Sequence, residues 1–333
     1  MNRKTLDALA AHHGLSSEGA ARMLDLAAAR PSRSELERFG ERSLALAGAL
    51  SLGAGIVFLV AANWSALPVF GRFALVQAVL VVGICVSLWR PPPARIGRYA
   101  LLVAFIVTGA LLALVGQTYQ TGADVHELFV AWAALGLPFV LASRWSVVWA
   151  AWVLVLNVAL WLFCGARPEA GLLWLALSPW TVSTSQLLIL PLVINVALWL
   201  IGIAVRDRGA ADLAPLWLGR FALACGVASG TWSSLIVLTR GMTDEGAAGL
   251  VVTLIVFAAV AFHTLRRRKD VFPLAMIEAS LILLSTVWIA RLGDFDTIGL
   301  LFVLAIWLVV TSTLSGRFLM RLVRRWGDQE PAT

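Results

Sequence analysis

Long apolar runs, separated by short polar segments, constrain the fold of this chain more than any other feature. A run of ~20 residues with almost no charge is long enough to cross ~30 Å of hydrocarbon as an α-helix. We therefore predict an all-α fold, a polytopic integral membrane bundle of about ten transmembrane helices. The predicted spans are 43–62, 73–89, 99–116, 126–142, 146–163, 186–205, 216–238, 247–265, 271–290 and 297–316.

Composition agrees with a membrane protein and excludes a nucleic-acid-binding one. Hydrophobic residues make up 60% of the chain and charged residues 14%, against roughly 45–50% and about 25% in soluble domains. The net charge of +7 comes from short basic clusters between apolar runs, without a long polar surface. We therefore expect the lipid bilayer, and no nucleic acid, among the partners.

Three regions follow from the pattern. Residues 1–42 predict a small cytosolic helical segment, in which Ser16 caps the second of two short helices and a third helix runs into the first span. This segment is too polar for a signal peptide, and it offers a surface for a cytosolic partner. Residues 43–326 form the predicted bundle, and 327–333 form a short polar tail. The short apolar piece at 171–180 is predicted to be interfacial or re-entrant.

Basic residues give the orientation, since Lys and Arg accumulate in cytoplasmic loops. With the N-terminus inside, all but four of the 26 Lys and Arg residues fall on the cytoplasmic side. This distribution predicts an even number of spans and places both termini in the cytoplasm. The four exceptions are Arg72, Arg167, Arg240 and Arg291.

A short internal repeat carries two asparagines. LVLNVALWL at 154–162 and LVINVALWL at 192–200 differ at one position, and each places an asparagine, Asn157 or Asn195, near mid-span. In the predicted topology the two helices are antiparallel. Inverted repeats that meet at mid-membrane occur in transporters, but chance similarity in a Leu-, Val-, Ala- and Trp-rich chain explains the match equally simply.

Glu278 is the carboxylate that lies deepest in a predicted span, on the order of 10 Å from its inner edge. A charge at that depth costs several kcal/mol unless it is paired, protonated or hydrated. One interpretation is a proton- or cation-binding site that forms an intramembrane polar path with Asn157 and Asn195. The other is a structural carboxyl group that is hydrogen-bonded to a neighbouring helix.

A polar cluster is predicted at the outer ends of the first four spans. Its side chains line a pocket, or they are a solvated loop whose residues cap helix ends. A zinc-protease motif is excluded, because Val130 stands where H-E-x-x-H needs its second histidine. The cluster comprises Asn63, Trp64, Gln117, Tyr119, Gln120, Asp124, His126 and Glu127.

Motifs for chemistry are missing from the sequence. It contains neither a G-x-x-x-x-G-K-[ST] phosphate loop nor a G-x-S-x-G nucleophile elbow. We therefore assign no catalytic residue, cofactor or metal ligand, and the sequence leans against an enzyme without deciding the point.

Small residues predict two helix-packing faces. Ala47, Ser51 and Gly55 recur every four residues in the first span, and Gly226 and Gly230 form a GxxxG in the seventh. Such faces let helices approach closely. They leave the oligomeric state open.

Two stretches resemble a known family. SLGAGIVFLVAANWSALP at 51–68 and GQTYQTGADVHELFVAWAALGLPFVLASRW at 116–145 resemble the bacterial predicted membrane proteins called domain of unknown function 2157, over about residues 1–165. The resemblance implies a multi-pass protein of the bacterial inner membrane with an N-terminal cytosolic helical piece. It implies no reaction, substrate or cofactor.

Three functions remain open. The first, which we favour, is transport or a channel-like activity for a small solute or ion. The second is a non-catalytic envelope sensor or assembly partner. The third is a membrane enzyme that acts on a lipid-linked substrate at the outer face, with Asp124, His126 and Glu127 as acid–base groups.

Overall fold

The computed structural model describes residues 3–26, 33–62, 67–119, 122, 124–165, 189–240, 244–292 and 297–327, and this part of the chain is helical without strands. A π-helical turn, Thr264–Arg268, extends the tenth helix. The helices are α1 (Arg3–His12), α2 (Ser17–Leu26), α3 (Arg33–Ala62), α4 (Val69–Trp89), α5 (Arg95–Tyr119), α6 (Val125–Ser143), α7 (Ser146–Gly165), α8 (Ile189–Asp207), α9 (Leu216–Arg240), α10 (Asp244–His263), α11 (Val271–Leu292) and α12 (Thr297–Gly327).

Nine of the helices in the described residues, α4 to α12, are long and apolar enough to cross a membrane. The first predicted span, 43–62, lies in the second half of α3, which runs unbroken from Arg33 and is not one of the nine. The predicted all-α polytopic bundle is confirmed. The predicted interfacial piece at 171–180 lies outside the described residues.

The second N-terminal helix begins where the sequence predicts. The backbone N–H of Gly19 donates to Ser16 Oγ at 3.2 Å, so Ser16 caps α2 as expected. Helix α3 passes through position 42 without a break. The boundary there between a cytosolic segment and the bundle stays a prediction.

Two large hydrophobic cores and a small cluster at Phe163 and Cys164 lie in the described part of the bundle. Helices α3 to α7 share the first core, and α8 to α11 share the second. Helix α9 is the most central, with 61% of its apolar window buried, and it contacts both α8 and α7. Helix α12 packs on α11, but none of the residues in its most apolar stretch is buried. Its apolar side chains are therefore free to contact lipid or another chain.

Indole side chains tie the helices of the first core together. Trp132 Nε1 on α6 donates to the carbonyl of Phe105 on α5 at 2.8 Å. The Trp132 ring occupies the notch of Gly109, where an added Cβ would lie 2.4 Å from the ring. Trp152 on α7 donates in turn to the carbonyl of Ala133 on α6 at 2.8 Å. Each indole thus fixes the register of two neighbouring helices.

The predicted packing faces fare differently. Gly226 and Gly230 lie against Leu192 of α8, which confirms the face on α9. The face predicted on α3 is wrong, because 47, 51 and 55 are exposed. Helix α3 instead turns Gly53 toward α5, where an added Cβ would lie 3.1 Å from Ile106. The spacing of small residues could not show which face of α3 packs on α5, since Ala47, Ser51 and Gly55 lie on one face and Gly53 lies on another.

Ion pairs and ring contacts bring the basic loops to one end of the bundle. Arg220 at the start of α9 forms a two-point ion pair with Asp270, at 2.8 and 3.1 Å. Arg268 pairs with Asp207, so the end of α8 meets the end of α10. We call this the basic end, and the other the opposite end.

Candidate functional site

Asn157 and Asn195, predicted to line a polar path, form a reciprocal pair between α7 and α8. Asn157 Nδ2 donates to Asn195 Oδ1 at 3.0 Å, and Asn195 Nδ2 donates to Asn157 Oδ1 at 2.8 Å. Each amide donates its second hydrogen to a carbonyl four residues earlier in its own helix, Val153 or Pro191, at 2.8 Å. All four N–H groups are therefore used.

The pair is sealed from its surroundings by close packing. Asn157 is 5% exposed and Asn195 is 0% exposed. A Cβ added at Gly226 of α9 would lie 2.9 Å from Asn195 Cβ, so α9 covers the pair directly. This arrangement is a helix–helix clasp, in which buried amides satisfy each other.

Glu278 lies at a different helix pair. It is half-buried on α11, and Ser315 Oγ of α12 donates to its Oε2. Glu278 and the two asparagines are absent from the linings of both cavities described below. The structure brings the two asparagines together and leaves the glutamate apart from them.

Part of the predicted polar cluster gathers around His126 at the opposite end. The imidazole is 2% exposed and packs against Phe163, with ring centroids 5.6 Å apart. Its Nδ1 lies 4.0 Å from a carboxylate oxygen of Asp124 and has no hydrogen-bond partner among the described residues. Glu127 follows in the first turn of α6. Asp124 and His126 are therefore near each other without being bonded.

The rest of the cluster does not converge on that histidine in the described part of the chain. Gln117 and Tyr119 are exposed at the end of α5. The Tyr119 ring lies 6.0 Å from that of Phe73 on α4. The remaining three positions, Asn63, Trp64 and Gln120, lie outside the described residues.

A basic cavity that the sequence did not reveal opens at the basic end, with a volume of about 590 Å³. Helices α3 and α5, the α6–α7 corner and the start of α9 converge there. Three arginines and four aromatic rings supply its charged and stacking groups. Its lining is Phe39, Arg42, Ser43, Leu46, Arg95, Arg98, Tyr99, Trp145, Val147 and Trp217.

Two contacts of Tyr99 hold the walls of the basic cavity. Its hydroxyl donates to the carbonyl of Arg42 on α3 at 3.4 Å. Its ring meets Trp145 edge to face, with centroids 5.0 Å apart and planes at 81°. Aromatic pairs of this geometry contribute about 0.5–1.5 kcal/mol beyond the area they bury. Tyr99 on α5 thus contacts both α3 and the α6–α7 corner at the wall of the basic cavity.

The charge of the basic cavity is largely uncompensated in the described residues. Arg95 forms an exposed ion pair with Glu41, at 3.5 Å. Arg42 and Arg98 have no acidic partner among the described residues. The Nε of Arg98 is buried and has no hydrogen-bond partner. The guanidinium groups that line the cavity therefore leave it with positive charge that could attract an anion.

A second cavity, of about 280 Å³, adjoins the basic one and is apolar apart from Arg144. It lies between α6, α7, α8 and α9 in the half of the bundle nearer the basic end. We call it the apolar cavity. Its lining is Leu141, Arg144, Trp149, Val153, Leu198, Ile201, Gly202, Val205, Leu213, Ala214, Leu218, Gly219 and Ala222.

Several residues that line the basic cavity stand out in the sequence, but for other reasons. In the sequence, Arg95 and Arg98 indicate only which side of the membrane their loop faces. Trp145 and Trp217 are typical of tryptophans at the membrane–water interface. What distinguishes them is that helices distant in the sequence bring them together, which hydropathy does not encode.

The first core of the bundle coincides with a family match. Residues 7–149 match the family described as "Predicted membrane protein (DUF2157)". The resemblance expected from the sequence is thereby confirmed for that region. No curated protein and no solved structure matches the chain. The match supports an integral membrane protein and brings no activity with it.

Proposed function

We propose that this chain is a non-catalytic membrane protein that binds an anionic headgroup in the basic cavity, as a sensor or assembly partner would. The basic end faces the cytoplasm in this proposal, because all but four of the 26 Lys and Arg residues then lie inside. A bacterial inner membrane, implied by the family resemblance, would present anionic headgroups to that side.

The positive charge of the basic cavity, largely uncompensated in the described residues, carries this proposal. An anion that enters the cavity would form charge-assisted hydrogen bonds with its arginines. Arginine suits the role, because its planar fork matches phosphate geometry and cannot be deprotonated. Arg42 and Arg98 bring positive charge to the cavity without a described acidic partner.

The aromatic walls also support a membrane ligand. Trp145, Trp217 and Tyr99 line the same cavity as the arginines. Such rings favour the headgroup level of a bilayer, where one side of the ring is apolar and the other hydrated. Basic pockets between transmembrane helices at the cytoplasmic side are a recognised mode of anionic-lipid binding.

Native mass spectrometry of the full chain in detergent tests the proposal. The probes are dioctanoyl phosphatidic acid and dioctanoyl phosphatidylcholine, which share their chains and differ in charge. We expect tighter binding of phosphatidic acid, and we expect Arg98→Gln to weaken it by about 10- to 100-fold, the loss of a charge-assisted hydrogen bond.

Arg321→Gln is the matched control. Arg321 is an exposed arginine on α12, and it lines neither cavity. The control should keep phosphatidic acid binding within about twofold, since exposed charges contribute little. Equal binding of the two probes, or an Arg98→Gln variant indistinguishable from the control, would contradict the proposal.

Transport of a small solute or ion is the second candidate. One observation favours it: the two copies of the repeat meet at their asparagines, as helices of inverted repeats do in transporters. Against it, the amides are occupied by each other, and Glu278 is bonded to Ser315 instead of to the pair. A solute path would require the clasp to open.

Thiol labelling separates the candidates. Glu278→Cys is placed in a variant free of Cys85, Cys164 and Cys225, and membrane-impermeant reagents are applied from each side. Labelling would indicate a water-filled path to that depth and would favour transport. Protection from both sides, with folding intact, would favour the binding protein. A cysteine at the exposed position Gln117 serves as the positive control.

An enzyme acting on a lipid-linked substrate has the least support. General acid–base catalysis needs groups within about 2.6–3.2 Å of their proton partners. Asp124 and His126 lie 4.0 Å apart, and the imidazole is almost fully buried.

A further inference from the structure

We infer that the apolar cavity holds an acyl chain of the ligand whose phosphate occupies the basic cavity, so that the ligand is a phosphate-bearing lipid of the inner leaflet. The inference rests on the proposed function and adds the site that holds the acyl chain of the ligand. It is carried by the relation between the two cavities and by the chemistry of the apolar one.

The two cavities are lined by residues that are neighbours in the chain at two places. Trp145 lines the basic cavity, and its chain neighbour Arg144 lines the apolar one. Trp217 and Leu218, at the start of α9, are divided in the same way. One molecule with a polar group and an apolar tail can therefore contact both cavities across this pair of corners.

The apolar cavity has the lining and the depth that a chain needs. Twelve of its thirteen lining residues are apolar or glycine. From Ser146, where α7 begins, to Val153 is seven residues, roughly 10 Å along the helix axis. At about 30 Å³ for each water-sized group, 280 Å³ has room for roughly nine such groups.

The inner end of the apolar cavity lies near the asparagine clasp. Val153, whose carbonyl accepts from Asn157, lines the cavity, and so does Leu198, three residues after Asn195. A chain that fills the cavity from the basic end therefore reaches to one helical turn from the asparagine pair.

Arg144 gives the mouth of the apolar cavity a preference for anions. It ends α6 in the left-handed backbone region, with φ of 47°. A residue other than glycine is uncommon there and is held by its surroundings. No ion pair joins it to an acidic side chain in the described residues. A phosphate at the corner between the cavities would meet Arg144 as well as Arg98.

Gly202 offers a way to fill the apolar cavity without disturbing the bundle. A Cβ added there would have no atom within 4 Å, so a larger side chain projects into open space. Gly202→Leu should therefore occupy the volume of the chain. Gly55→Leu is the matched control, because Gly55 also has open space around it and lies on α3, away from the cavity.

The test compares glycerol 3-phosphate, a headgroup without a chain, with lysophosphatidic acids of increasing chain length, each by native mass spectrometry of the full chain. We expect wild-type protein to bind a long-chain lysophosphatidic acid at least about tenfold more tightly than glycerol 3-phosphate. Gly202→Leu should abolish that advantage and leave glycerol 3-phosphate binding unchanged. Gly55→Leu should behave as wild type.

A second variant changes the cavity in the other direction. Ile201→Ala enlarges it and should move the preferred chain to a longer one. Gly202→Leu protein that keeps glycerol 3-phosphate binding and the full preference for chains would overturn the inference and leave the headgroup site standing. Arg98→Gln protein that binds both probes as wild type does would overturn the proposed function itself.

Discussion

Asn157 and Asn195 donate to each other across α7 and α8, and each uses its remaining N–H on its own helix. The two side chains occupy equivalent places in the repeat at 154–162 and 192–200, so similar local sequences meet at their asparagines. Because both amides are buried, each depends on the other for satisfaction.

This dependence predicts strong coupling between the two asparagines. Asn195→Leu alone should lower the free energy of unfolding by about 1–3 kcal/mol, because it strands the Asn157 amide in an apolar contact. The double variant with Asn157→Leu should cost less than the sum of the single variants, by about 0.5–2 kcal/mol. Reversible unfolding in mixed micelles measures this cycle. Strictly additive effects would mean that the pair contributes nothing as a pair.

A second prediction concerns the notch under Trp132. Gly109→Ala places a Cβ 2.4 Å from the indole, which is itself held by its bond to the Phe105 carbonyl. We expect a loss of about 1–3 kcal/mol, as for other overpacked contacts. Gly116→Ala, in the same helix, meets no atom within 4 Å and should be neutral or stabilising by up to about 1 kcal/mol. Thermal unfolding of the two variants in one detergent gives the comparison, and equal melting temperatures would refute it.

The contrast between these glycines marks how far sequence reasoning reaches. Hydropathy predicts where α4 to α12 lie, because crossing the hydrocarbon region imposes a length and a composition. The sequence around Gly109 and Gly116 does not distinguish them, because the difference between them is a tertiary contact. The indole of Trp132 on α6 packs on Gly109 and not on Gly116. The same limit explains the wrong face predicted on α3, where the position of α5 selected Gly53.

The candidate sites follow the same division. The sequence identified Asn157, Asn195 and Glu278 as costly polar groups in spans, and all three have polar partners in the structure. It could not say that the asparagines were each other's partner. The sequence does not predict the basic cavity, because Arg42, Arg98 and Trp217 lie on three helices that only tertiary packing brings together.

Glu278 gives a third prediction. Ser315 is its hydrogen-bond donor, and the two residues join α11 to α12. Glu278→Gln retains an acceptor for the hydroxyl without the cost of a charge, so stability should be unchanged or higher. Ser315→Ala removes the donor and should cost about 0.5–1.5 kcal/mol. Both are measured by thermal unfolding. A large loss in Glu278→Gln would show that the ionised carboxylate has a cationic partner, in conflict with a purely structural role.

The buried histidine at the opposite end gives the last prediction. His126 is 2% exposed, lies against Phe163, and leaves Nδ1 unbonded among the described residues. Replacing a buried group that lacks a partner by an apolar ring of similar shape removes a desolvation cost of about 1–3 kcal/mol. His126→Phe should therefore raise the melting temperature. Asp124→Asn is the control: it removes the carboxylate 4.0 Å away and should change little, because that residue is exposed. A marked loss of stability in His126→Phe would mean that the imidazole is hydrogen-bonded in the folded protein. The polar cluster around His126 would then become a candidate binding site again.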